Sequence, residues 1–418
     1  MQDQFFADNP TVCEECDWVN PLPGLFPGQK AKCRCCGHTL VSWPEKIADR
    51  LLAYGLSGIL MLIMTFSFTF LGFSTHGTGR HTSLPQTVTT LISYDYLILG
   101  AILFVALFVI PLFYLLILMY LAAGLRMHRL LPGSIFLSRW YPALQPWLMA
   151  DVFLVGVLVS MVKLRSMIDI HLGLSFWALC GYALLVDKTV SLMDRRWLWR
   201  QIGGLAPAPE GLRDAPARVQ GVSGCHYCGA IVDGEHGLCR RCRNKVHTRN
   251  PASLKRTLAL LSAAAVMYVP ANIFPIMSTV SMGKEHPSTL LGGVVELWRM
   301  GSYPVAIIIF SASVMIPLIK IVTLLWLCKE CRSPGRVPVL IKMRVYRVME
   351  LIGRWSMIDV FVVATLVGLV RMGNLMSVVP GPAAVSFAAV VVLTMLAAMA
   401  FDPRLLWDSA QLKREGSV

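Results

Sequence analysis

The sequence predicts a mainly α-helical, polytopic membrane protein of about eight transmembrane helices. These are expected as two tandem four-helix modules, each following a small cytoplasmic zinc ribbon. Three observations predict this. Hydrophobic residues make up 56% of the 418 and charged residues only 15%, with a mean hydropathy of +0.61. Uncharged runs such as 98–122 match the ~20 apolar residues needed to cross a bilayer core. Four Cys-x-x-Cys pairs fall in two sets, Cys13/Cys16 with Cys33/Cys36 and Cys225/Cys228 with Cys239/Cys242, one set ahead of each apolar half.

The cysteine pairs are expected to form ribbons at 1–45 and 223–250. A zinc ion takes four ligands in a tetrahedron, and two Cys-x-x-Cys turns meeting face to face supply four thiolates. Gly229 and Gly237 stand near the sulfurs of the second set, where a missing side chain lets backbone N–H groups approach. In the first set Cys36 keeps the spacing and precedes Gly37, so it is the expected ligand and Cys35 the spare. Zinc suits such sites best, with iron the second choice. A closed four-thiolate site leaves no open position for water, so both are expected to be structural.

Eight spans are expected, at 51–70, 97–122, 147–162, 172–190, 256–277, 305–328, 352–370 and 383–401. With the N-terminus inside, six of the 38 Lys and Arg fall in outer loops: Arg80, Lys163, Arg165, Lys284, Arg299 and Arg371. Lys320 falls inside a span and the other 31 lie on the inner side. This positive-inside asymmetry places both termini in the cytoplasm and accounts for the net charge of +14 without a nucleic-acid partner. Eight of the twelve cysteines then sit in a reducing compartment, where metal sites are commoner than disulfides. The polar N-terminus reads as carrying no cleavable signal peptide.

The two modules, 46–202 and 251–408, repeat each other. Trp147, Asp151 and Phe153 match Trp355, Asp359 and Phe361 at a shift of 208, as Asp194 matches Asp402. Ile110 and Pro111 match Ile316 and Pro317 at a shift of 206. Four spans per module is an even number, so the repeats run parallel rather than inverted. Residues 203–222, rich in Pro and Gly, read as a loosely ordered linker, and 409–418 as a tail. The symmetry breaks at Pro270, Asn272 and Pro275 in the fifth span, and at Lys320, where the first half has Tyr114.

Ionisable residues inside a span cost on the order of 2.5–3.5 kcal/mol each at the centre, so they raise a functional question. At about 1.5 Å rise per residue, Lys320 lies roughly 12 Å inward from the inner end of its span. Asp359 and Thr394 lie roughly 10 Å inward on the next two spans. Ser356 stands one turn before Asp359, and Ser313 two turns before Lys320. A Lys–Asp pair flanked by hydroxyls suits a proton relay, each charge shifting the other's proton affinity. The plainer reading is that Asp359 and Asp151 sit at helix N-termini and Lys320 nearer a C-terminus, where helix dipoles favour those charges, or that Lys320 snorkels to the surface. Lys163 and Arg371, at the outer ends of equivalent spans, read as headgroup anchors. His76, His81, His171 and His286 in outer loops lack helical pairing for a metal site. The run 329–354 reads as a solvated basic loop beside anionic lipid. Cys328 and Cys331 form a further Cys-x-x-Cys without a partner pair. There is no hydrolase elbow, nucleotide loop or zinc-protease helix, and no enzyme is expected.

Five stretches, 28–31 (GQKA), 194–199 (DRRWLW), 301–306 (GSYPVA), 353–359 (GRWSMID) and 401–405 (FDPRL), resemble the paraquat-inducible protein A family. This is the PqiA/LetA group of bacterial inner-membrane proteins, and the local phrases lean towards the PqiA branch. The resemblance covers nearly the whole chain. It implies a periplasmic MCE-domain partner of the PqiB/LetB kind, which forms a conduit between the two membranes of a Gram-negative envelope. It also implies that the membrane subunit loads or moves phospholipid into that conduit. Lys320, Asp359, Ser356 and Thr394 fall in the family's polar membrane cluster. The family's proline-rich motif in the first span is missing around 65–73. Two rival readings stay open: a membrane thiol or metal redox protein using Cys328 and Cys331, and a passive anchor for the periplasmic partner.

Overall fold

A computed structural model of the chain describes residues 10–415 apart from 23, 76–77, 94–96, 166–168, 205–207, 235, 282–283, 300, 302, 334 and 370–375. The first half runs through β1 (Thr11–Val12), β2 (Val19–Asn20), β3 (Lys30–Lys32) and β4 (Thr39–Ser42) into α1 (Ile47–Ser67), β5 (Leu71–Thr75) and β6 (Thr78–Thr82). It continues through α2 (Leu84–Ser93), α3 (Leu97–Phe104), α4 (Ile110–Arg126), α5 (Ser134–Leu144), α6 (Ala150–Arg165), β7 (Asp169–Leu172), α7 (Leu174–Leu192) and α8 (Arg195–Gly203). The second half repeats the series: β8 (Val222–Gly224), β9 (Ile231–Asp233), β10 (His236–Leu238), β11 (Lys245–His247), α9 (Ser253–Ile273), β12 (Met277–Ser281) and β13 (Lys284–Ser288). It then has α10 (Leu290–Arg299), α11 (Tyr303–Phe310), α12 (Ile316–Arg332), α13 (Val339–Gly353), α14 (Ile358–Leu369), β14 (Met376–Pro380), α15 (Pro382–Ala400) and α16 (Arg404–Glu415).

Among the described residues, six helices are long and apolar enough to cross a membrane: Ile47–Ser67, Gly100–Arg126, Ser134–Met161, Ser253–Ile273, Ala306–Arg332 and Pro382–Ala400. A seventh counts if α7 and α8, bent by 60°, form one span. The seventh expected span, 352–370, contains the 12-residue α14, entered from α13 through a 3-10 turn at Arg354–Met357. The basic stretch 329–354, expected as a loop, contains α13. Its Met343, Tyr346 and Met349 recur at helical spacing and are buried.

The membrane-length helices pack through small residues. On α1 the buried positions Leu51, Gly55, Gly58 and Leu62 fall on one face, with Gly55 against Met119 and Gly58 against Leu115 of α4. Small side chains let helices approach where lipid gives no hydrophobic drive. The helix of α3 and α4 is interrupted by a π turn at Val105–Val109, and that of α11 and α12 by one at Ser311–Met315. Pro111 and Pro317 explain both. Each lacks the N–H that would bond residue i−4, and its ring clashes with that carbonyl, so the preceding turn widens.

The halves meet along α6 and α14, which are equivalent elements. Phe153 packs edge-on against Phe361, its own counterpart, with ring centroids 5.5 Å apart. Gly156 makes room: a Cβ there would stand 3.2 Å from that of Phe361. At the other end of the helices each half forms a three-stranded antiparallel sheet, β6-β5-β7 and β13-β12-β14. These strands occupy stretches that read from sequence as outer loops. Residues 208–221, expected to be loosely ordered, instead lie across the first ribbon. Val19 N–H donates to Ala215 (3.0 Å), Ala217 N–H to Asp17 (2.7 Å) and Trp18 Nε1 to Asp214 (2.6 Å).

Candidate transport site and the metal knuckles

Each Cys-x-x-Cys is the turn of a two-stranded hairpin: β1–β2, β3–β4, β8–β9 and β10–β11. The backbone closes all four alike. The residue after the second cysteine donates its N–H to the carbonyl of the first: Asp17 to Cys13 (3.0 Å), Gly37 to Cys33 (3.0 Å), Gly229 to Cys225 (2.9 Å) and Arg243 to Cys239 (2.8 Å). These residues have φ of 62°, 72°, 70° and 57°. Glycine adopts that region freely at 37 and 229. In the fourth turn Arg243 takes that position, and Gly237 lies in β10, two residues before Cys239.

The sulfurs converge. Cys13 and Cys36 are 3.6 Å apart, Cys16 and Cys33 3.5 Å, Cys225 and Cys242 3.5 Å, and Cys228 and Cys239 3.4 Å. All sulfurs within each set lie within 4.8 Å of one another. Thiolates bonded to zinc at about 2.3 Å stand about 3.8 Å apart, so both sets fit a tetrahedral ion. Cys35 stays outside its set.

The ribbons tie the halves together crosswise, which sequence reasoning missed. Each ribbon is fixed to its own half by a capping aspartate: Ser42 N–H donates to Asp194 (2.8 Å) and Asn250 N–H to Asp402 (3.0 Å), contacts related by the same shift of 208. Each is also gripped by the opposite half. Arg347 of α13 donates to the Cys36 carbonyl at 3.0 Å, and its equivalent, Arg139 of α5, donates to the Cys242 carbonyl. The two residues between Cys13 and Cys16 add to this. Glu14 pairs with Arg195 and Arg196 of the first half, whereas Glu15 pairs with Arg347 of the second and with His38 (2.9 Å). The readable signal was Arg139 and Arg347 at the repeat shift.

Lys320 is only 1% exposed. Its Nζ donates to the Gly353 carbonyl at 3.4 Å, and no carboxylate among the described side chains, which exclude that of Asp359, pairs with it. It lines two cavities. One, about 320 Å³, lies between α12 and α13 and is walled by Ile316, Ile319, Val345, Val348 and Ile352, with Arg344 on its lining. The other, about 520 Å³, opens towards the first half between Gln145, Arg347, Glu350, Met395 and Met399.

The other expected polar residues lie in the 3-10 turn at Arg354–Met357 or on elements that pack against or continue from it. Ser356 is buried in the 3-10 turn, and its Oγ has no hydrogen-bond partner among the described residues. That turn packs against the π turn holding Ser313, against α15 holding Thr394, and against α6. Ser313 and Thr394 are buried and donate to their own helices, at the Ile309 and Val391 carbonyls. Asp151 sits in the first turn of α6, half-buried. Asp359 occupies the first turn of α14, but its side chain lies outside the described residues, as do those of Lys163 and Arg371. Tyr114, the counterpart of Lys320, is buried with its hydroxyl likewise unpartnered among the described residues. In the β6-β5-β7 sheet His81 and His171 flank Gly72, while the side chains of His76 and His286 lie outside the described residues.

Two repeats of membrane-length helices, each led by a four-cysteine ribbon, with a buried lysine in one repeat, define a multi-pass helical membrane protein with an internal polar site. The chain belongs to the paraquat-inducible protein A family, whose sequence pattern matches residues 48–203 and 254–411. It is 40% identical to "Intermembrane transport protein PqiA" of Escherichia coli K12 over 98% of both chains. It is 28% identical to "Lipophilic envelope-spanning tunnel protein A" of the same organism, over 95% of this chain and 91% of that one. It is also 28% identical to a "Probable intermembrane transport protein" of Haemophilus influenzae, over 94% and 95%. These relatives carry the names of transport proteins, not of enzymes. No solved structure matches the chain.

Proposed function

We propose that this protein is the inner-membrane subunit of an MCE-type intermembrane lipid transport system, passing phospholipid between the inner membrane and a periplasmic MCE-domain tunnel. Both termini face the cytoplasm, and each ribbon holds one structural zinc. The observation that carries the reading is Lys320, a buried cation on the wall between an apolar cavity and a more polar one. A phospholipid has those two faces, with an anionic phosphate between them. The names of the relatives support transport between membranes. In this reading Lys320 and Asp359 exchange a proton to change the shape of the site, with Ser356, Ser313 and Thr394 as flanking hydroxyls and Asp151 as the first-half counterpart of Asp359. Cys328 and Cys331 do not join either cysteine set.

Native mass spectrometry of the detergent-purified protein tests the binding half. Wild type carries phospholipid and two zinc ions per chain, and Lys320→Ala loses most of the lipid while keeping both ions. Asp359→Asn keeps lipid bound but fails to restore detergent resistance to cells lacking the protein. Full complementation by both variants at normal expression would sink the relay. Iron or oxidised cysteines in place of zinc would move the assignment to redox chemistry.

A further inference from the structure

The internal repeat lets one ribbon serve as the control for the other. In the first, Arg347 donates to the Cys36 carbonyl and turns its Nε to a carboxylate: Nε to Glu15 Oε2 is 2.9 Å. In the second, the equivalent Arg139 donates to the equivalent carbonyl, of Cys242, but its buried Nε has no acceptor among the described residues. The reason lies in the sequence between the ligands. Glu14 and Glu15 stand between Cys13 and Cys16, whereas His226 and Tyr227 stand between Cys225 and Cys228. The second ribbon therefore presents the same arginine without the built-in anion.

A cleft of about 780 Å³ opens at this point, between α5 and the second ribbon. Arg139, Arg243, Lys245, His226 and Tyr227 are on its lining, and no carboxylate is. Arg195 and Arg249 also line it, but they are neutralised by Glu14 and by Asp17 with Asp408. Arg243 and Lys245 make no ion pair among the described residues. On α5, beside Arg139, Ile135, Phe136 and Trp140 are exposed, which suits a helix lying at the edge of the bilayer. A guanidinium fork with a free Nε–H, backed by a lysine and a second arginine, is matched in geometry and charge to phosphate.

We propose that the cleft beneath the second ribbon binds a phosphate group, which takes at Arg139 the place that Glu15 takes at Arg347. The site is separate from Lys320 and stands whether or not a proton moves there. Phosphate reaches it from either of two sources, the headgroup of an anionic phospholipid or a free phosphate ion. Thermal unfolding of the full chain in detergent, followed by tryptophan fluorescence, tests it with inorganic phosphate and with dihexanoyl phosphatidylglycerol, each against chloride at equal ionic strength. Wild type is stabilised saturably. Stabilisation by the lipid at concentrations where inorganic phosphate has no effect identifies a headgroup site, and stabilisation by inorganic phosphate at equal or lower concentration identifies a soluble ion.

Arg139→Gln lowers the apparent affinity at least tenfold. Because that change also removes a ribbon clamp, Tyr227→Glu is the companion. It supplies the missing carboxylate, keeps or raises the unfolding midpoint without ligand, and abolishes the response to phosphate. No saturable stabilisation of wild type above chloride, or a Tyr227→Glu protein that responds as wild type does, overturns the proposal.

Discussion

Asp194 and Asp402 show how one residue position acquires opposite electrostatics in two copies. Both cap a helix and receive an N–H from their own ribbon. Burial opposes the charge of Asp402, but hydrogen bonds and charge from Arg404, with the Asn250 N–H, outweigh it and hold its carboxyl below the ordinary range. At Asp194 burial prevails and the carboxyl is raised, because the matching arginine, Arg196, turns away to Thr11 and the Val12 carbonyl. The signs follow. Asp402 adds stability above the unfolded carboxylate value of about 4 and loses it as pH falls through its lower folded value. Asp194, with a raised folded value, favours folding most when protonated and loses that contribution as pH rises. Asp402→Asn, which strands a buried arginine, is expected to cost about 3–5 kcal/mol at pH 7. Asp194→Asn, which keeps a capping oxygen, should cost under about 1 kcal/mol. Unfolding midpoints in detergent at pH 7 and pH 4 should show that gap narrowing at the lower pH.

Among elements, the entry to the last long helix of each half turns on glycine. A Cβ at Gly173 would stand 2.0 Å from the Thr69 carbonyl oxygen, and one at Gly381 would stand 2.1 Å from that of Pro275. Each glycine also donates its N–H to the next carbonyl along, Phe70 or Ile276. These contacts dock α7 against the end of α1 and α15 against the end of α9. Both glycines have extended backbones that any residue adopts, so proximity alone forbids the side chain. Gly381→Ala is therefore expected to separate the α9–α15 pair locally and to lower the unfolding midpoint by several degrees. The knuckles were legible in the sequence because ligand spacing is a local property of the chain. The π turns were legible in principle from Pro111 and Pro317, but periodicity counts apolar positions and is blind to one extra residue in a turn. The three-stranded sheets were not legible, since each takes its third strand from about 100 residues further along, in segments too short to show alternation.

For the whole molecule, the repeat shift was legible and the way its copies meet was not. Shared phrases such as those around Asp151 and Asp359 reveal duplication, but only packing places Phe153 on Phe361. Gly156→Leu tests that contact: the side chain has no space against Phe361 and the Ile358 carbonyl. It should cost about 1–3 kcal/mol or more and loosen the two halves, read as faster proteolysis between them at unchanged zinc content. The buried lysine was legible as an anomaly of composition, whereas its two cavities depend on where α13 lies, in a stretch that reads as a loop. The crossed clamps have a further consequence. An equivalent element packing on itself, with each arm reaching over to the other body, is the pattern of an isologous two-fold dimer with exchanged arms. A shorter chain holding one ribbon and one helical half would satisfy these contacts by pairing with a second copy of itself. Joining the copies in one polypeptide frees each from matching the other, and Lys320 opposite Tyr114, with Glu15 opposite Tyr227, is the divergence that such a fusion permits.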